Sequence, residues 1–195
     1  MEMTRLEKRL VNRQSKARFN IELLRQRLGG LDCGRIHDVL ELGCGVGYVS
    51  ACLASEYEMK VIGTDFDPAQ IDSARRFHGE SELLRFQAQD AAQLDFEDDS
   101  FDLVISQHVF HHIAAWQQVV WEITRVLRDG GYVIWLDLAL PAFVKKILQP
   151  WVKRYGFYSF AEVKTEMQRC GLRQVFYEKL VRWLSVHHHL VLQKG

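Results

Sequence analysis

Short apolar runs that alternate with helix-period segments set the strongest limit on how this chain can fold. Five of these runs are predicted strands: His37–Leu42, Lys60–Asp65, Leu83–Asp90, Phe101–Ser106 and Gly131–Asp137. Alternation of this kind is typical of βαβ units, which build a parallel sheet. Two β-rich runs end the chain, Leu172–Leu180 and Leu184–Leu192, and so few residues join them that they must form an antiparallel hairpin. The pattern predicts an α/β fold with a mostly parallel sheet.

Several helices between these strands carry clear start and stop signals. Asp67 is a predicted N-cap, followed by Pro68 at the first helical position. Ser159 opens a capping box for the last helix. The segment "AAWQQVVWEITRVLRDGG" has one apolar face, and we predict that Gly130 and Gly131 end it.

Composition favours one globular domain and gives no sign of a highly charged binding partner. The chain has 195 residues, of which 48% are hydrophobic, and Lys+Arg balances Asp+Glu at 25 each. That balance gives no overall field to steer the protein onto nucleic acid or anionic lipid, so no nucleic-acid partner is predicted. The four cysteines form no C-x-x-C pair, and no apolar run approaches the roughly 20 residues of a membrane span. We therefore predict a cytoplasmic protein with reduced thiols and no stable membrane insertion.

The first strand runs into a glycine-rich turn, "ELGCGVG", and then into a helix. Glycines at such a turn allow positive φ and let a ligand approach the bare backbone at a helix N-terminus. Gly43, Gly45 and Gly47 read G-x-G-x-G, whereas the dinucleotide fingerprint is G-x-G-x-x-G/A. The spacing makes an NAD-dependent dehydrogenase a distant alternative.

Three acids end the first three predicted strands. Glu41, Asp65 and Asp90 should therefore meet at the carboxyl edge of the sheet, where open α/β sheets bind ligands. Asp65 lies about 20 residues beyond the glycines, where an acid accepts hydrogen bonds from a ribose diol. The two other carboxylates would repel a pyrophosphate. S-adenosylmethionine carries a ribose, an α-ammonium and a sulfonium, and it suits all three acids.

With these motifs in order, the chain resembles the class I S-adenosylmethionine-dependent methyltransferases, in particular the small-molecule group related to quinone-biosynthesis enzymes. The resemblance rests on "VLELGCGVG", "VIGTDFDP", "QAQDAAQLDFEDDSFDLVIS", "HVFHHI" and "ITRVLRDGGYVI". It implies a doubly wound, Rossmann-like sheet of seven strands in the order 3-2-1-4-5-7-6. It also implies one domain, residues 1–195, with a helical arm (1–34), a cofactor-binding core (35–138), a helical lid insertion (139–159) and a final helix with the hairpin (160–195).

The resemblance also implies roles for individual residues toward S-adenosylmethionine. Gly43 and Gly45 would line its methionine part, Gly47 would complete the glycine turn, and Glu41 would reach the ammonium directly or through water. Asp65 would take the ribose hydroxyls. The adenine contacts would come from Phe66 by stacking, Asp90 and the Ala91 N–H, and the Gln107 carbonyl would hold the α-ammonium.

Three histidines, His108, His111 and His112, follow the fourth strand in "SQHVFHHI" and are the candidate catalytic residues. Their i, i+3, i+4 spacing shares a helix face, yet no further Cys, Asp or Glu lies nearby at ligand spacing, so we predict no metal. One of them could be a general base near neutral pH. We favour a pocket wall, because the SN2 step needs mainly alignment of the reacting groups.

The predicted function is methyl transfer from S-adenosylmethionine to a small, apolar or aromatic acceptor. The insertion carries an apolar stripe with Phe143 and Trp151, which fits its own core, a lid or peripheral membrane contact. Tyr155 and Tyr158 are further candidates for the pocket. The Asp/Asn-Pro-Pro-aromatic tetrapeptide of DNA-amine and glutamine methyltransferases is replaced by "SQHV". The main alternative is a catalytically silent module that binds the cofactor or a partner.

Overall fold

A computed structural model of the chain describes residues 14–139, 156, 158–182 and 185–195. Its helices are α1 Gln14–Leu28, α2 Tyr48–Glu56, α3 Pro68–His78, α4 Trp116–Val126 and α5 Phe160–Arg169. Its strands are β1 Asp38–Leu42, β2 Lys60–Asp65, β3 Leu84–Ala88, β4 Phe101–Gln107, β5 Leu127–Leu138, β6 Leu172–Arg182 and β7 Ser185–Lys194. The predicted insertion at 139–159 lies largely outside the described residues, and so do Tyr155 and the first 13 residues.

The seven strands form one sheet in the order β3-β2-β1-β4-β5-β7-β6, which confirms the predicted fold. Strands β1 to β5 pair in parallel, and β7 runs antiparallel between β5 and β6. Each face of the sheet buries a separate core because side chains alternate along a strand. In β1, Leu40 and Leu42 face the core covered by α4 and α5, whereas Val39 faces the core covered by α1, α2 and α3. Among the described residues, no helix is long and apolar enough to cross a membrane.

The predicted end of the fourth helix is wrong. The helix ends at Val126, and β5 already begins at Leu127, four residues earlier than the strand predicted from Gly131. Gly130 has φ +77°, and the β4–β5 register shifts between Phe101 and Leu103. A Cβ on Gly131 would lie 3.0 Å from the Asp102 carbonyl oxygen. These glycines therefore accommodate an irregularity inside the strand and do not cap the helix.

The N-terminal signals of two helices are confirmed. The Asp67 carboxylate accepts a hydrogen bond from the Ala69 N–H, with Pro68 in the first turn of α3. The Ser159 hydroxyl and the Glu162 carboxylate form the reciprocal capping box of α5. Because β3 ends at Ala88, Asp90 follows the strand instead of ending it. Its side chain still reaches the carboxyl edge of the sheet.

Candidate functional site

A cavity of about 500 Å³ opens at the carboxyl edge of β1, β2 and β4. Helix α1 contributes to its wall, and so does the loop that follows β4. Ten of the twelve predicted site residues line it: Glu41, Gly43, Gly45, Asp65, Phe66, Asp90, Ala91, Gln107, His108 and His112. A cavity where parallel strands end is the expected ligand site of an open α/β sheet. Gly47 and His111 are not among the lining residues.

The glycine turn is held against β2 by main-chain and side-chain hydrogen bonds. The Cys44 N–H donates to the Thr64 carbonyl at 2.8 Å, and the Gly45 N–H donates to the Asp65 carboxylate at 2.9 Å. Gly43 has φ +67°, and a Cβ there would lie 2.4 Å from Val109 Cγ2. A side chain at Gly43 would therefore collide with the loop after β4, so glycine brings these two walls of the cavity together.

Gly47 does not line the cavity but lies where α2 packs on the neighbouring elements. It precedes α2 with φ +83°, and a Cβ there would lie 2.6 Å from the Phe86 ring and 3.1 Å from Ala74. The glycine thus allows α2 to pack closely on β3 and α3. The cofactor role that the resemblance implies for Gly47 stays a prediction.

Glu41 is a buried acid on the floor of the cavity, 5% exposed. The Ser50 hydroxyl donates to its carboxylate. Burial raises the pKa of Glu41 to about 7 and the Asp65 charge adds to the rise, although the Ser50 hydrogen bonds oppose it. A cationic ligand would favour the ionised form of this carboxylate.

The far end of the cavity has an exposed aromatic ring beside a polar turn. Phe66 follows β2 and is 49% exposed, which is unusual for a phenylalanine that lines a cavity. The Asp90 carboxylate accepts from the Ala92 N–H at 2.9 Å and fixes the turn that carries Ala91. A free aromatic face next to a carboxylate offers stacking and hydrogen bonding to a planar base.

Gln107 ends β4 and joins the cavity to helix α1. Its Nε2 donates to the Asn20 carbonyl oxygen at 3.3 Å. Its Oε1 is buried without a hydrogen-bond partner among the described residues. Asn20 and Ala17 of α1 also line the cavity. Sequence reasoning missed both, because the motifs in the strands carry no signal for which helical residues reach the edge of the sheet.

The three histidines do not share one helix face. His108 leaves β4 with φ +62°, and residues 110–112 form a single 3₁₀ turn. The His111 and His112 rings lie with centroids 4.0 Å apart, and His111 Nδ1 is 2.6 Å from Asp137 Oδ1. Among the residues described, His, Cys, Asp and Glu form no group of three or more with metal-binding geometry.

Behind these histidines lie a buried acid and a buried phenol. Asp137 is fully buried, and sequence reasoning missed it although its position at the end of a strand was visible. Burial favours a higher pKa for Asp137, but the charges of His111 and His108 and hydrogen bonds from His111 and the Leu138 N–H outweigh it, so the pKa lies below its usual range. Tyr158 is 1% exposed among Phe110, Trp116 and Trp135, and it does not line the cavity. The suggestion that Tyr158 reaches the pocket is therefore wrong.

The chemistry of the lining fits S-adenosylmethionine. Glu41, Asp65 and the unpartnered Gln107 amide oxygen are acceptors suited to ammonium, sulfonium and ribose hydroxyl groups. Phe66 and Asp90 offer a purine a stacking face and an acceptor. A ligand with a pyrophosphate would meet these same carboxylates as repulsive charges.

The fold is that of the class I methyltransferases. A family model described as "Methyltransferase domain" matches residues 40–135, which contain the glycine turn, all three acids and the histidine loop. The chain belongs to the class I S-adenosylmethionine-dependent methyltransferases, an enzyme family whose cofactor is S-adenosylmethionine.

Individual relatives and structures agree with this assignment. The chain is 30% identical over 183 residues to a glycine/sarcosine/dimethylglycine N-methyltransferase of Actinopolyspora halophila, covering 86% of this chain and 31% of that protein. It is 35% identical over 123 residues to the chloroplastic tocopherol O-methyltransferase of Arabidopsis thaliana, covering 60% of this chain and 35% of that protein. The chain thus spans about a third of the length of these curated relatives. The crystal structure of the PH0226 protein from Pyrococcus horikoshii OT3 shares the fold, with a TM-score of 0.75, 24% identity and coverage of 95% and 93% of the two chains.

Proposed function

We propose that this protein transfers a methyl group from S-adenosylmethionine to a small, apolar or aromatic acceptor. The observation that carries the proposal is one cavity whose lining combines two kinds of residue. Glu41, Asp65 and Asp90 line it together with apolar side chains and imidazoles of the loop after β4, and we assign the acids to one half and the loop to the other. When bound, S-adenosylmethionine supplies an activated methyl group on a good leaving group.

The acid-lined half is the proposed cofactor site. Gly43 and Gly45 would line the methionine part, with Glu41 and the Gln107 carbonyl facing its ammonium group. Asp65 would accept the ribose hydroxyls. Each Asp65 oxygen accepts one main-chain N–H, from Gly45 and from Asp67, which holds the carboxylate at the cavity wall.

The adenine would lie at the other end of this half. Phe66 would stack on one ring face, Asp90 would accept from the exocyclic amine, and the Ala91 N–H would donate to the ring. Half of the Phe66 surface is exposed, so this ring can gain contact area without any rearrangement of the core.

The second half of the cavity supports an apolar or aromatic acceptor. Val109, Ile113, Ala114 and Ala115 line it beside His108 and His112. A planar ring can pack on these side chains while its nucleophilic atom faces an imidazole. The three histidines are proposed as a wall that aligns the acceptor, with one imidazole available as a proton acceptor.

A small amine is the second candidate acceptor. The Actinopolyspora relative, named for N-methylation of glycine, sarcosine and dimethylglycine, matches 86% of this chain, whereas the tocopherol relative matches 60%. The longer match includes residues beyond the family core. The methylated products of the two candidate acceptors differ in solubility, so extraction into solvent distinguishes them.

Binding and transfer experiments test the proposal in turn. Thermal unfolding is measured with S-adenosylmethionine, S-adenosylhomocysteine and NAD; a shift with the first two supports the site, and a shift with NAD alone contradicts it. Methyl-labelled S-adenosylmethionine is then incubated with hydroquinones and phenols, or with glycine and sarcosine. Label in the solvent-extractable fraction supports the aromatic acceptor, and label in the aqueous amine fraction supports the second candidate. With fractionated cell extract in place of these compounds, transfer to protein or nucleic acid alone would refute a small-molecule acceptor.

A further inference from the structure

Asp137 is a fully buried carboxylate at the carboxyl end of β5. Its Oδ1 accepts from His111 Nδ1 at 2.6 Å and from the Leu138 N–H at 2.7 Å. A buried charge is costly unless it is paired and hydrogen-bonded, so these contacts retain the ionised form. Asp137 itself does not line the cavity. Any effect on a bound ligand must therefore pass through a neighbour.

Titratable groups surround this carboxylate from three elements. The loop after β4 supplies three histidines. His108 and His112 line the cavity, and His111 bonds to the carboxylate while its ring lies 4.0 Å from the His112 ring. Strand β7 supplies His187, whose ring lies edge-to-face with the His108 ring at 5.2 Å. Tyr158 immediately precedes the α5 capping box, and its pKa is raised by burial and by the Asp137 charge. Asp137 is the anion within this otherwise neutral or cationic group.

His108 is the imidazole through which the charge can act on a ligand. It lines the cavity, and it follows Gln107, which pairs with Leu136 in the β4–β5 ladder, so it lies beside Asp137. Its backbone has φ +62°, a region that side-chain-bearing residues rarely adopt. The His108 N–H donates to the Leu136 carbonyl at 2.7 Å, which extends the β4–β5 ladder and holds this conformation. Strained residues that the surrounding structure over-determines are concentrated at functional sites.

We propose that Asp137 is a positioning residue for proton transfer, which fixes His111 through Nδ1 and stabilises, by its negative charge, the proton that His108 takes from the acceptor. This inference rests on the proposed methyl transfer. In that step the acceptor atom forms a bond to the methyl carbon while the carbon–sulfur bond breaks, and S-adenosylhomocysteine leaves. The acceptor's proton passes to the His108 imidazole and later to water. Asp137 remains ionised throughout and balances the imidazolium charge.

The test compares Asp137→Asn with Asp102→Asn as a matched control. Asp102 also lies on a central strand and is partly buried, where it accepts from the His37 and Asp38 N–H groups and from Arg128, but it does not line the cavity. Both variants lose a structured carboxylate, so a general loss of stability affects both. NMR of ¹⁵N-histidine-labelled protein, with and without S-adenosylhomocysteine, follows the titration of each imidazole.

In Asp137→Asn we expect the titration midpoint of His108 to fall by about one to two pH units. Affinity for S-adenosylhomocysteine should stay within about twofold. Methyl transfer at pH 7 to the acceptor fraction identified with labelled cofactor should fall at least about tenfold, with the loss in kcat rather than in KM. Asp102→Asn should leave the His108 midpoint unchanged.

Two results separate a failure of this inference from a failure of the proposed function. Wild-type protein that does not bind S-adenosylhomocysteine overturns the proposed function. Wild-type protein that binds it, while Asp137→Asn matches Asp102→Asn in His108 titration and in kcat, overturns the role of Asp137 alone. If Asp137→Asn does not fold, the wild type still decides: neutral His111 should carry its proton on Nδ1, and a proton on Nε2 would overturn the inference.

Discussion

The Gly45 N–H donates to the Asp65 carboxylate at 2.9 Å, which ties the glycine turn after β1 to the acid at the end of β2. The other Asp65 oxygen accepts from the Asp67 N–H at 2.9 Å, just before α3. One side chain therefore holds two loops of the cavity and also lines the cavity itself. Substitution of Asp65 should affect both the empty protein and its affinity for the cofactor.

Asp65→Ala should abolish measurable cofactor binding and lower the melting temperature of the free protein. Asp65→Asn keeps one acceptor oxygen, and it should weaken binding of S-adenosylhomocysteine by roughly 10–100-fold, because hydrogen bonds to a charged group contribute about 1.5–3 kcal/mol each. Calorimetric titration and thermal unfolding measure the two effects. The control is Asp67→Ala, which removes the α3 N-cap at about 1 kcal/mol and should leave affinity unchanged. Equal loss of affinity in both proteins would refute the ribose role of Asp65.

Cofactor affinity should rise with pH through the titration of Glu41. The pKa of this buried acid is raised to about 7 in the free protein. A ligand with a positive charge favours the ionised carboxylate, so binding below pH 7 must also remove a proton. We expect affinity for S-adenosylmethionine to fall up to about tenfold per pH unit below pH 7, with net proton release measured by calorimetry in buffers of different ionisation enthalpy.

The Glu41→Gln variant is the control for this effect, and its affinity should depend much less on pH. It also has a predictable effect on stability. Because the folded pKa of Glu41 lies above the unfolded value of 4.5, the unfolded chain loses this proton first, and stability falls as pH rises from about 4.5 to about 7. The stability of Glu41→Gln relative to the wild type should therefore be about 2–4 kcal/mol greater at pH 8 than at pH 4.5, because only the wild type loses stability over this range. A wild-type affinity that does not vary between pH 5.5 and 8 would contradict the assignment.

The resemblance to a known family implied the correct sheet order, and the apolar runs predicted the ends of β1 and β2 at the cavity. Strand ends are set by local signals, such as an apolar run followed by Gly43 or Asp65, and the topology of parallel strands brings those ends together. That is why residues far apart along the chain, such as Glu41 and Gln107, line the same cavity.

The errors arose where a local signal has two physical uses. Gly130 and Gly131 look like a helix C-cap in the sequence, but they accommodate an irregular pairing of β4 with β5. Gly47 belongs to the glycine-rich turn, and its lack of a side chain leaves room for the Phe86 ring. The link between His111 and Asp137 depends on contact between neighbouring strands 26 residues apart in the chain, which spacing alone does not reveal.

Phe66→Ala should weaken cofactor binding without destabilising the protein. The ring is 49% exposed, so its removal leaves no core cavity, whereas stacking against a base contributes about 1–3 kcal/mol. We expect affinity for S-adenosylhomocysteine to fall about 5–50-fold, with a melting temperature close to that of the wild type. Phe77→Ala is the matched control, because Phe77 is 66% exposed on α3 and does not line the cavity. A comparable loss of affinity in Phe77→Ala would show a general surface effect.

Helix α1 supplies part of the cavity wall, and Arg27 anchors its C-terminal end to the hairpin. The Arg27 guanidinium bonds to the Glu178 carboxylate, donates to His189 Nδ1 at 3.4 Å and lies 4.0 Å from the centre of the Phe176 ring. Burial, together with the Arg27 charge, lowers the pKa of His189 to about 4, so this imidazole stays neutral and can accept the hydrogen bond. The same helix carries Asn20 to the cavity.

Arg27→Met should weaken cofactor binding although residue 27 does not line the cavity. Methionine keeps much of the apolar stem but loses the charge, so α1 should dock less firmly and Asn20 should be held less well against Gln107. We expect the free energy of unfolding to fall by about 1–3 kcal/mol and affinity for S-adenosylhomocysteine to fall several-fold. Arg25→Met, on the same helix, removes an exposed pair with Glu56 and should change both quantities little. Hydrogen exchange of the α1 amides measures the docking directly: faster exchange in Arg27→Met, with Arg25→Met unchanged, supports the anchor, and equal exchange in the two variants contradicts it.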